Sequence, residues 1–206
     1  MHDPAMSAFI QLLLRWFHIF FGLIWIGHLY FFNFVNVPFQ AVLDKELKPK
    51  VNPALLLRAL WWFRWGAMWT FLIGWFLFTI TYLMGGNLYD AEGGFSSRGM
   101  WMLVGGLLGS IMWFNVWFVI WPAQKQILGG LLGANAPAPP ELPKKALLFS
   151  RINLWLSAPM LVAMIAASHI GDWTAMPGYL HGVFMLLALA AIHGMLKLAP
   201  KKGSGL

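Results

Sequence analysis

Six histidines are the residues of this chain best suited to chemistry, and five of them, His18, His28, His169, His181 and His193, fall in or at the ends of long apolar runs. Two occupy one stretch, "RWFHIFFGLIWIGHLY". An ionisable group inside such a run is costly, and a run that holds one usually uses it. Neutral imidazoles from different helices are the ligand set of a b-type haem. The competing role is plain hydrogen bonding between helices. The chain has no cysteine. That excludes disulfides, thiolate zinc sites, iron–sulfur clusters and covalent haem attachment through C-x-x-C-H. His2, at the terminus, reads as solvated.

The elements that must position these side chains follow from composition. Of 206 residues, 60% are hydrophobic, 17% aromatic and only 10% charged. A soluble domain carries about 25% charge. The expectation is an all-α integral membrane bundle, a single domain over residues 1–206. Five runs of roughly 20 residues or more can each cross a hydrocarbon core of about 30 Å. They cover residues 9–34, 60–84, 100–121, 147–170 and 179–198. The connectors are polar or rich in glycine and proline, and the tail "APKKGSGL" reads as disordered. There is no basic n-region with a short apolar core and cleavage site, so the first run is expected to remain as a span.

Lysine and arginine are distributed by side. Lys45, Lys48, Lys50, Arg58 and Arg64 flank the first connector; Lys125, Lys144, Lys145 and Arg151 flank the third; Lys197, Lys201 and Lys202 end the chain. Together they are 12 of the 14. Only Arg15 and Arg98 fall on the other side, with Asp3, Asp90, Glu92 and Asp172. The positive-inside rule then puts the N-terminus outside and the C-terminus in the cytoplasm. Insertion and anionic lipid thus account for the net charge of +7, and nucleic acid is not an expected partner.

In that frame the histidines form two levels. His18, His169 and His181 lie at the outer level, His28 and His193 at the inner, about 15–18 Å apart at 1.5 Å per residue. This layout suits one haem b, or two stacked across the membrane. The helical phases do not favour two: His18 and His28 differ by about 80° around their helix, His181 and His193 by about 120°. Glycines accompany the ligands, with Gly22 and Gly27 in the first span, Gly182 after His181 and Gly194 after His193. Small residues let a flat macrocycle approach the backbone. Arg15, one turn outward of His18, could pair with a haem propionate. Aromatic and methionine side chains read as packing or lipid-facing. Gly105 and Gly109 form a G-x-x-x-G, a weak sign of close helix contact.

Three segments in series resemble the membrane domain of bacterial cytochrome-c-linked urate oxidases. "LLRWFHIFFGLIWIG" is similar to that family's R-x-x-H-x-x-x-G-x-x-W-I-G opening. "NVWFVIWPAQKQIL" is similar to its N-V-x-x-x-I-x-P-x-Q segment, and "SRINLWLSAPMLVAMIAASH" to its R-x-N-x-x-L-x-x-P-x-L-x-x-M-x-x-x-H segment. A more distant resemblance to HemJ-type haem-binding membrane proteins lies in the first span. The resemblance points to His18, Asn115, Pro122, Gln124, Arg151, Asn153, Pro159 and His169. It implies His18 and His169 as the axial pair, with His181 the alternative and His28 with His193 around any second haem. Asn115 and Asn153, polar groups in spans, need partners. The chain departs from the family's full-length enzymes in having fewer spans and no cytochrome c domain.

Three functions are expected from these readings. The first is a haem b subunit in a bacterial inner membrane, carrying electrons between a periplasmic redox partner and quinone or a cytochrome, as part of a larger complex. The second is a urate-oxidase-like oxidoreductase acting on a small substrate at the outer face with cytochrome c as acceptor. The third is a haem-free structural subunit. No acidic residue lies inside a span to serve a proton-coupled transporter, and no hydrolase or phosphate-binding motif is present.

Overall fold

A computed structural model describes residues 4–170 and 177–202. His2, Asp3 and Asp172 lie outside the described residues. Five helices are long and apolar enough to cross a membrane, the pattern of a multi-pass membrane protein: α1 (Ala5–Val42), α2 (Lys48–Leu83), α3 (Ser97–Leu131), α4 (Glu141–His169) and α5 (Gly178–Lys202). No strand occurs among the described residues; the α2–α3 connector holds a single antiparallel bridge, Tyr89 to Phe95. All five expected spans are helices, and all five begin or end differently. Those touching the first and third connectors run well past the apolar stretch, because lysine, glutamine and alanine there are good helix formers. The expected disordered tail is helical through Lys202.

Contacts between neighbouring helices step in opposite directions, so successive helices are antiparallel. From one end to the other, α1 and α2 meet at His18–Thr70, Phe32–Phe63 and Gln40–Asn52. Their approach rests on small residues: a Cβ on Gly66 would lie 3.1 Å from the Trp25 backbone nitrogen. Without a hydrophobic force between helices in lipid, such close packing supplies much of the attraction. α3 and α4 form the second tight pair, with Gly105 against Met164; Gly109 faces open space, so only half of the G-x-x-x-G makes a close contact. The core joins α1, α2, α3 and α4 through residues such as Trp25, Leu29, Phe63, Met112 and Val116. A smaller cluster, Trp101, Ala163, Ala166 and Ala167, gathers α3, α4 and α5 at the far end.

α4 is the hub, and polar groups fasten it. Asn33 Nδ2 donates to Ser150 Oγ at 2.9 Å. Ser157 donates to the Leu154 carbonyl at 2.7 Å, so Tyr30 is the donor in its 3.1 Å bond to Ser157. Asn115 Nδ2 donates to Asn153 Oδ1 at 2.8 Å, and Asn153 Nδ2 to the Met112 carbonyl at 2.9 Å. Ser150, Asn153 and Ser157 recur at helical spacing, which puts them on one stripe of α4.

Three π-helical turns interrupt the helices, at Phe31–Asn36, Thr79–Leu83 and Asn115–Ile120. Two have a visible cause. Pro38 and Pro122 lack an N–H, and in an α-turn their rings would strike the carbonyls of Phe34 and Phe118. The widened turn avoids this: Val37 N–H reaches back to Phe32, and Trp121 N–H to Val116.

Candidate functional site

His18 has the most developed setting. Its ring packs on α2 where "GAMWTFLIG" places Gly66, Thr70 and Gly74 one turn apart. Nδ1 lies 2.9 Å from the Thr70 carbonyl oxygen. A carbonyl can only accept, so Nδ1 carries the proton and Nε2 keeps its lone pair. Gly74 makes room for the ring, since a Cβ there would sit 2.7 Å from His18 Cε1. Gly22, one turn on, brings α1 against Thr70, whose Cγ2 would lie 3.8 Å from an added Cβ. Thr70 Oγ1 is spent within its own helix on the Gly66 carbonyl, at 2.7 Å. No described residue bonds Nε2. A ring fixed through Nδ1–H to a carbonyl, with Nε2 open, is what a metal-ligating histidine needs from its surroundings.

The other histidines face other neighbours. His28 donates from Nδ1 to the Ile24 carbonyl of its own helix at 2.8 Å. His169 does the same to Ile165 at 2.9 Å and is exposed. His181 lies on Trp101 of α3, ring centroids 5.4 Å apart. His193 is exposed and lies 5.6 Å from the Trp155 ring. Among the described residues no three His, Asp or Glu side chains gather as a metal cluster. Arg15, exposed on α1, reaches Gln11 at 3.4 Å. Gly27, Gly182 and Gly194 face open space.

Of the residues the resemblance pointed to, Asn115 and Asn153 are brought together and satisfy each other. Pro122 shapes the π-turn. Pro159 is buried inside α4, where it withdraws a helical donor from the Trp155 carbonyl. Gln124 and Arg151 are half-buried. Sequence reasoning missed Thr70 and Gly74, although the small-residue period Gly66, Thr70, Gly74 was a readable sign of a close neighbour. It also missed Arg64, whose guanidinium lies over the Trp121 ring at 3.7 Å from the centroid. The aromatic face takes the place of a counter-ion.

Comparison with known proteins adds one finding. The family described as urate oxidase N-terminal matches residues 88–202. This stretch holds α3, α4 and α5, and with them His169, His181, His193, Asn115, Pro122, Gln124, Arg151, Asn153 and Pro159; His18, Arg15, Gly22 and His28 precede it. No curated protein matches, and no solved structure does. The match spans more than half of the chain, and the chain therefore belongs to the urate oxidase N-terminal family.

Proposed function

We propose that the chain is a haem b-binding subunit of a urate-oxidase-like oxidoreductase in a bacterial inner membrane, with its N-terminus outside. The observation that carries this reading is the His18 setting: Nδ1–H fixed on Thr70, Nε2 without a partner among the described residues, and Gly74 leaving space for the ring. His18 would hold the iron through Nε2. His169, on the same expected level and with its own Nε2 uncommitted among the described residues, would be the second ligand, and His181 the alternative. Bound there, the haem would supply one-electron transfer at a potential set by its axial ligands and burial. The chain's own part is to orient the imidazoles, to exclude water with the apolar walls of α1 and α2, and to offer Arg15 to a propionate.

The family match favours a second, more specific reading, in which the outer face oxidises a small reduced substrate such as urate and passes electrons to a cytochrome c or to quinone through a larger complex. Reduction of cytochrome c by the purified protein with urate would support it; a haem-loaded protein that never does so would restrict the chain to electron transfer.

The reading is tested by a dithionite-reduced minus oxidised spectrum with pyridine haemochrome quantitation on the detergent-purified chain. About one haem b per chain is expected. His18→Ala is expected to lose it. Gly74→Ala, whose Cβ would displace the ring, is expected to lower haem content or shift the Soret band while the protein stays monodisperse. A folded, colourless wild type would overturn the proposal and leave the structural-subunit reading.

A further inference from the structure

We propose that a groove between α1 and α2 around His28 is a binding site for a lipid-soluble hydroquinone. The groove is lined by Phe20, Leu23, Gly27, His28, Phe31 and Leu55 and offers about 570 Å³ open to the surface, within the usual range for small-molecule sites. It opens on an apolar surface, where Leu23 is 69% and Leu55 40% exposed, so its ligand enters from lipid. Gly27 forms an empty patch of wall: a Cβ there would meet nothing within 4 Å.

One polar group faces this apolar space. His28 Nδ1–H is committed to the Ile24 carbonyl at 2.8 Å, which leaves Nε2 as an acceptor with no bonding partner among the described residues. An acceptor in an apolar setting lacks a donor, and hydrocarbon tails have none to give. Phospholipid headgroups lie at the surface, whereas His28 is set back from the apolar run's end at Phe34 by about 9 Å along the helix. A hydroquinone meets each condition. It dissolves in the bilayer, its flat ring fits a cleft walled by Phe20 and Phe31, and its O–H donates to Nε2. The oxidised quinone carries only acceptors, so the site favours the reduced form. This inference does not rest on the haem at His18.

The test uses the full chain in lipid nanodiscs, titrated calorimetrically with decyl-benzoquinol and decyl-benzoquinone against empty nanodiscs. Saturable binding is expected, with the quinol about three- to tenfold tighter, the worth of one net hydrogen bond. Gly27→Leu, which fills the cleft from an exposed position, is expected to abolish saturable binding. His28→Phe is expected to erase the preference for the quinol while some ring binding persists. Haem content of both variants is expected to match wild type, which separates this site from the one at His18. Signal no greater than in empty nanodiscs, equal affinity for the two forms in the wild type, or binding indifferent to both substitutions would overturn the proposal.

Discussion

Asn153 shows how single residues hold this bundle. It is fully buried, accepts from Asn115 and donates to the Met112 carbonyl. Both bonds cross from α4 to α3. Interhelical hydrogen bonds in membrane proteins average about 0.6 kcal/mol, but a buried group left without its partner costs about 1–3 kcal/mol. Asn153→Leu strands the Asn115 amide, while the Met112 carbonyl keeps the Asn115 backbone N–H, so a loss of about 1–3 kcal/mol is expected, read as a lower midpoint in a denaturant titration in detergent. Asn115→Leu on the mutant background should restore part of it, because the amide left unpaired is then gone. The need of both asparagines for partners was legible in the sequence, since apolar runs leave an amide no other course. Their choice of each other was not: it depends on the register of α3 against α4, which no local pattern encodes. The same holds for His18. Its type and depth marked it out, but its tautomer is set by a carbonyl on α2, and only packing brings that carbonyl near.

At the scale of the element, the π-turns are the main departure from what periodicity implies. A stretch of apolar residues reads as continuous helix whether its turns are α or π. Pro38 and Pro122 were the only local signs of the widening, and each lies just beyond its turn. The two turns also share a pattern. Each contains or begins with a buried asparagine, Asn33 or Asn115, and each is followed by Pro-x-Gln, at Gln40 and Gln124. In the first hairpin Gln40 bonds Asn52 in both directions, at 2.7 and 3.1 Å. A π-turn is an α-helix with one residue too many, which gives a test. Deleting Val119, within the turn of α3, is expected to preserve the phase of both flanks and a monodisperse preparation, at a lowered thermal midpoint because Pro122 then meets the Trp117 carbonyl in an α-turn, at a cost of about 3 kcal/mol. Deleting Leu107, in the regular part of α3, rotates one flank by about 100° and is expected to prevent a monodisperse preparation. Equal damage from the two deletions would show that the turn is not a removable insertion.

For the whole molecule, five spans and their antiparallel order were legible, because length and hydrophobicity alone specify them. The helix ends were not: residues 48–53 read as part of a polar connector, yet they begin α2. The side assignment is open to direct test, since the chain has no cysteine. Single cysteines at Ala136, between α3 and α4, and at Glu92, between α2 and α3, are both exposed positions. In intact cells an impermeant maleimide is expected to label Glu92→Cys and to spare Ala136→Cys, and the reverse result would invert the topology. The overshoot of the helices has an electrostatic consequence in such a membrane. From Leu55, at the lipid-facing mouth of the His28 groove, back to Lys48, α2 rises about 10 Å, and the headgroup layer takes up about 5–7 Å of that. Lys48 and Lys50 therefore stand within the screening length of about 8 Å at physiological salt from the lipid phosphates. Their charge bears on the anionic headgroups of the leaflet, while Arg64, deeper on the same helix, answers to Trp121.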